Sequence, residues 1–266
     1  MKKGYKSLIT LMGLPSSGKS TIARMLAKEL TDKSGILTVV IGTDDIRKII
    51  PSQLEEFDPD IEPIIKKLTL NNVQFCLNNN FIVINDDMNY YKSMRHELKQ
   101  IAEETQAHFI LIHIQISLET ALEWNKKRGL PVPQEVIKRV YHRFDPPGDY
   151  KWDTPLVTIQ SDKRSPEFAI KTILSKLLPI ITSPFKPQVT SPPSKPGINE
   201  QIDKITRKMV ADFAQTNKNP PLLKKISNFR IDYIKNLPNK EILIDELEKD
   251  FSQKLQEFVT RVKQAK

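Results

Sequence analysis

Gly13-Leu14-Pro15-Ser16-Ser17-Gly18-Lys19-Ser20 is the stretch that decides the fold. A short apolar run, Leu8 to Met12, leads into it, and a helical pattern, Lys19 to Leu30, leads out. Glycine is needed at both ends because the backbone must curl round an anion and present successive N–H groups, which a side chain would obstruct. In this strand–loop–helix setting the spacing is that of a Walker A phosphate-binding loop: Lys19 meets the β- and γ-phosphates and the Ser20 hydroxyl meets Mg²⁺. Gly13, Pro15, Ser16, Ser17, Gly18, Lys19, Ser20 and Thr21 are the expected nucleotide contacts, with ATP and Mg²⁺ as cofactors.

Four further apolar runs follow: Ile36 to Ile41, Phe81 to Ile84, Phe109 to Ile116 and Leu156 to Ile159. They alternate with helical patterns around 61–78, 93–104, 118–127 and 168–178, which predicts a parallel sheet covered by helices on both faces. The expected class is α/β, a P-loop NTPase three-layer α/β/α sandwich with a five-stranded, mainly parallel sheet over residues 1–178. Residues 179–197 hold Pro179, Pro184, Pro187, Pro192, Pro193 and Pro196, which are expected to stop any helix and stiffen a linker. Helical patterns at 198–216, 221–236 and 240–263, with Ile202, Ile205, Met209 and Phe213 at helical spacing, predict a small all-α C-terminal domain over 198–266.

The chain of 266 residues is 39% hydrophobic, enough for a real core, and its 41 Lys and Arg against 32 Asp and Glu give a net charge of +9. That balance favours a polyanionic partner. The single cysteine, Cys76, excludes an internal disulfide or a thiolate metal cluster. No apolar run reaches the roughly 18 residues a membrane span needs, and Met1-Lys2-Lys3 leads into a strand rather than a cleavable signal, so no membrane partner and a cytoplasmic location are expected.

The second run ends in Gly42-Thr43-Asp44-Asp45-Ile46-Arg47, at the edge where such a sheet builds its site. Asp44 and Arg47, three apart, share one helix face. A carboxylate there can take the proton of an attacking hydroxyl, and an arginine beside it can steady developing charge. The plainer alternative is that Asp44 or Asp45 caps the helix. The third run ends in Asp86-Asp87, either of which could support the metal held by Ser20; adjacent residues on an extended chain point to opposite sides, so only one faces it. Between the fourth and fifth runs Lys126, Lys127, Arg128, Lys138, Arg139 and Arg143, interrupted by Pro131 and Pro133, read as a lid. Arg128, beside Gly129, is its best phosphate contact.

Four strings together resemble the archaeal and eukaryotic O-phosphoseryl-tRNA(Sec) kinases: residues 13–21, Asp44-Asp45-Ile46-Arg47, Asp86-Asp87-Met88-Asn89-Tyr90-Tyr91 with Ser93-Met94-Arg95, and Phe144-Asp145-Pro146-Pro147-Gly148 followed by Tyr150-Lys151-Trp152-Asp153. The resemblance implies transfer of the ATP γ-phosphate to the seryl hydroxyl of seryl-tRNA(Sec). Asp44 would orient or deprotonate that hydroxyl, with Arg47, Lys19 and Arg128 assisting. It also gives the basic helices a purpose, gripping tRNA, with Lys204, Arg207, Lys208, Lys224, Lys225 and Arg230 as candidate contacts; a homodimer is allowed. The chain departs from the family where Trp124 stands in place of the first of two lid arginines, Arg128 being the second; either Lys126 or Lys127 substitutes for the first, or the lid works with Arg128 alone. A tRNA-binding P-loop ATPase of a tRNA-modification complex, which hydrolyses ATP without phosphorylating a substrate, is the second reading. A small-metabolite kinase would need no basic helical appendage.

Overall fold

A computed structural model describes residues 5–50, 59–185, 198–217, 219–237 and 244–264. Strand β1 (Ser7–Met12) runs into the loop, helix α1 (Lys19–Ser34) leaves it, and β2 (Thr38–Ile41) feeds a short helix α2 (Thr43–Lys48). Helix α3 (Glu62–Asn78), β3 (Ile82–Asn85), α4 (Lys92–Glu104), β4 (His108–Gln115), α5 (Leu118–Lys127), α6 (Gln134–Arg143), β5 (Val157–Gln160) and α7 (Pro166–Ile181) complete the first unit. Helices α8 (Ile198–Thr216), α9 (Pro220–Lys235) and α10 (Ile244–Gln264) follow.

The strands form one sheet in the order β2-β3-β1-β4-β5, and every pair is parallel. The two-residue period of a strand sends alternate side chains to opposite layers. Ile9 and Leu11 join Ile82, Ile84, Ile110 and Ile112 on the face covered by α1 and α7, while Leu8 and Val83 pack with Val73, Leu77, Leu98 and Ala102 from α3 and α4. At about 1.5–3 kcal/mol for each fully buried aliphatic side chain, these two cores fix the three-layer sandwich. The sequence reverses its direction of travel across the sheet at β1, so a crevice opens at the carboxyl ends of β1 and β3, where such sheets bind ligands.

Helix α7 corrects one expectation. Pro179 does not end it; the helix continues to Ile181. Proline removes one N–H, but it sits in the last turn beside exposed Ser175, whose carbonyl water can satisfy, and Leu177 and Ile181 remain buried on the other side. The prolines at 187, 192, 193 and 196 lie outside the described residues. The three C-terminal helices share a core of Ile202, Leu222, Ile226, Tyr233, Leu247, Phe251, Leu255 and Val259. Of the first unit, α6 meets this bundle through α8 and α9.

Candidate active site

Gly13 has φ +151°, and a Cβ there would stand 2.2 Å from the Ile114 carbonyl oxygen, so the loop closes against β4 only because the residue is glycine. The Lys19 ammonium curls back into the loop and donates to the carbonyls of Gly13 at 3.1 Å and Leu14 at 2.6 Å, and to Ser17 Oγ at 3.3 Å. Burial lowers its pKa to about 8, although Asp86, Asp87 and Asp44 pull the other way. A cation so held is poised to exchange carbonyl partners for phosphate oxygens. Ser20 and Thr21 are exposed at the mouth, Pro15 and Ser17 are buried beneath it, and Ser16 donates to Asn125 at 3.3 Å.

The two adjacent aspartates divide as an extended chain requires. Asp86 hydrogen-bonds the Ser20 hydroxyl, and burial raises its pKa. Asp87 turns the other way and accepts from the Thr43 backbone N–H at 3.2 Å and from the Thr43 hydroxyl at 2.6 Å. Burial lifts its pKa to about 6 in spite of those bonds. Asp87 thereby caps α2 from across the crevice, a task no residue of α2's own N-terminus performs. Gly42 makes room for this: a Cβ there would come within 2.5 Å of the Asp86 carbonyl oxygen.

Asp44 stands in the first turn of α2, where the helix dipole favours a carboxylate, and does not cap the helix. Its side chain is 85% exposed and pairs with Arg47 Nη1. The rest of the Arg47 fork is taken by Glu62, from Nε at 2.9 Å and Nη2 at 2.7 Å. Glu62 lies 15 residues away at the start of α3 and carried no signal in the sequence. Asp45 instead pairs with Lys48 at 2.8 Å, away from this network.

The loop bearing the aspartates is itself tied down. The Gly13 N–H donates to the Met88 carbonyl at 3.1 Å, and the Asn89 amide bridges the Leu11 carbonyl and Asn85, each at 2.7 Å. Arg95, wholly buried, donates to the Asn89 and Tyr90 carbonyls and forks onto Asp153 at 2.6 and 2.8 Å. Trp152, beside Asp153, is buried as well. The Trp124 ring comes to 3.9 Å from where a Gly18 Cβ would stand, which places it over the phosphate loop. Lys126, Lys127 and Arg128 are exposed at the end of α5, before a turn at Gly129 and Leu130, both with positive φ. Lys127 pairs with Glu123 at 2.6 Å, and among the described residues none of these three cations hydrogen-bonds the loop.

The proposed tRNA cations fare unequally. Lys204, Lys208 and Lys225 are exposed. Arg207 is exposed but also pairs with Asp203 at 3.0 Å. The Lys224 side chain lies outside the described residues. Arg230 must be withdrawn as a surface contact: it is buried, with Nη1 donating to Asp203 at 2.8 Å and to Thr206 Oγ1 at 3.2 Å. Arg143, read in the sequence as one of the lid cations, is likewise buried against Asp203 at 2.8 Å.

A parallel sheet ordered 2-3-1-4-5, a glycine-rich loop with a buried lysine, and facing carboxylates define the P-loop kinase class. The family model described as "Chromatin associated protein KTI12" matches residues 7–265. The L-seryl-tRNA(Sec) kinase of Methanococcus maripaludis is 33% identical over 253 residues, covering 92% of this chain and 96% of that one. The KTI12 homolog of Danio rerio is 29% identical over 214 residues, 79% of this chain and 76% of its own. Among solved structures, Chaetomium thermophilum Kti12 in complex with ADP-AlF3 superposes with a TM-score of 0.55 at 23% identity, over 66% of this chain and all of that one. The chain belongs to the family that L-seryl-tRNA(Sec) kinases and KTI12 proteins together form. Among the described residues no helix is long and apolar enough to cross a membrane.

Proposed function

We propose that this protein transfers the γ-phosphate of ATP to the seryl hydroxyl of seryl-tRNA(Sec), giving O-phosphoseryl-tRNA(Sec) and ADP in the cytoplasm. The observation that carries the reading is likeness to a seryl-tRNA(Sec) kinase along 92% of the chain, helical module included. The KTI12 relatives cover less of it at lower identity, so the hydrolytic reading stands second. The Asp44 carboxylate, exposed and held by Arg47, accepts the hydroxyl proton as the seryl oxygen bonds to phosphorus and the bond to ADP breaks. With Nε and Nη2 on Glu62 and Nη1 on Asp44, Arg47 is a positioning residue for that carboxylate. Lys19 holds the transferring phosphate, and Arg128 reaches it as the lid closes at Gly129.

Ser20 and Asp86 supply hard oxygen donors that suit Mg²⁺. Among the described residues no cluster of three or more metal-binding side chains occurs. The Ser20 and Asp86 side chains would hold the ion, which when bound would neutralise phosphate charge. Asp87, engaged by Thr43, orients α2 rather than the metal. Incubation with γ-labelled ATP and seryl-tRNA(Sec), with seryl-tRNA(Ser) beside it, tests the proposal. Label on the first tRNA alone is expected; equal labelling of both would remove the specificity, and label released only as inorganic phosphate would remove the kinase.

A further inference from the structure

The junction of α6 with α8 and α9 gathers four guanidiniums around one carboxylate. Arg143 and Arg230 share Asp203 Oδ1, each at 2.8 Å, while Arg207 at 3.0 Å and the Tyr91 hydroxyl at 2.8 Å share Oδ2. Both oxygens are therefore fully used. Arg139, one turn before Arg143 on α6, is half-buried in the same field, and among the described residues no hydrogen bond or ion pair engages its side chain. Burial, and next the neighbouring Arg143, disfavour its charged form, with Arg207 adding to the effect. Water still reaches the guanidinium, but it stands beside like charges on Arg143 and Arg207, and an arriving anion would offset that repulsion.

What lies alongside says which anion. A groove of about 650 Å³ runs between the first unit and α8, its lining including Tyr90, Tyr91, Lys204 and Arg207, with Lys66 and Glu97 paired to each other at 2.5 Å. Arginine forks match phosphate oxygens two at a time, and the partly exposed Tyr90 ring offers a face on which a base can stack, Tyr91 itself being buried. Tyr90 and Tyr91 directly continue the loop that carries Asp86 and Asp87, so a strand lying in the groove runs toward the catalytic crevice. We infer that Arg139 and Arg207, backed by the Asp203 cluster, seat a phosphodiester of the RNA substrate at the α6–α8 junction. The inference rests on the tRNA reading and adds a location to it. Because α6 follows the Gly129 turn, an RNA seated there also bears on the lid.

The test uses the full-length protein, seryl-tRNA(Sec) and Arg139→Gln, with exposed Lys171→Gln on α7 as a charge-matched comparison. Arg139→Gln is expected to weaken tRNA binding and to shallow the fall of log affinity with log salt by roughly 0.7–0.9, as loss of one phosphate contact does. Its Tm should hold or rise, since a repelled cation has been removed. Arg139→Lys should recover part of the affinity. Unchanged affinity and slope would overturn the seat, as would an equal effect of Lys171→Gln, or a Tm falling by several degrees, which would make Arg139 a structural element. Displacement by polyglutamate with no binding of tRNA would assign the cluster to an acidic protein segment and overturn it as well. Failure of the wild-type protein to bind seryl-tRNA(Sec) would instead fell the tRNA reading itself, and the inference with it.

Discussion

Lys19 shows how one residue's surroundings set its behaviour. It is buried in the loop with its pKa lowered to about 8. A phosphate ligand prefers the protonated ammonium, so ATP affinity should hold steady just below pH 8 and fall as the pH rises through it, by up to tenfold per unit. Calorimetric titration between pH 7 and about 9.5 reads this directly; an affinity flat to the upper limit would mean the ammonium keeps its ordinary pKa. Glu62 makes a different kind of prediction. It fixes Arg47, and through Arg47 the Asp44 carboxylate, so Glu62→Gln should lower kcat by about 10- to 100-fold, as small misplacements of catalytic groups do. ATP affinity and Tm should stay put, and a fall in ATP affinity with kcat intact would place Glu62 in nucleotide binding instead. Lys19, Ser20 and Asp44 could be singled out in the sequence because each sits in a short local pattern. Glu62 and Asp203 could not, since their partners come from distant segments.

At the scale of elements, strand and helix alternation was legible because each run keeps one period and ends in turn residues. The order of the strands was not, for β3 inserts between β1 and β2 by packing that no local pattern records. Helix α6 was hidden by Pro131, Pro133 and a run of cations that read as a lid. It forms because Pro133 suits the position before a first turn, and Ile137, Val140 and Arg143 then face inward. The turn from β3 to α4 depends on Arg95 and Asp153, both wholly buried and joined as a fork. Removing one partner strands the other without compensation, so Arg95→Met should cost about 3–5 kcal/mol of stability. Denaturant unfolding checks it, and a loss below about 1 kcal/mol would show that the pair gives little beyond a surface bridge.

Across the whole molecule, the +9 charge is unevenly employed. Arg143 on α6 and Arg230 on α9 are buried against Asp203 of α8, joining the helical module to α6, while Lys208 and Lys225 are exposed. The basic module is thus docked to the kinase unit through α6. The transfer itself can be followed in one turnover, with γ-labelled ATP and seryl-tRNA(Sec) given to the wild type and to Asp44→Asn. Label is expected in the phosphoserine of wild-type product, falling by about 10²–10⁴ in rate in the variant at unchanged ATP affinity. Label appearing only as inorganic phosphate from the wild type, or equal transfer by both proteins, would contradict it.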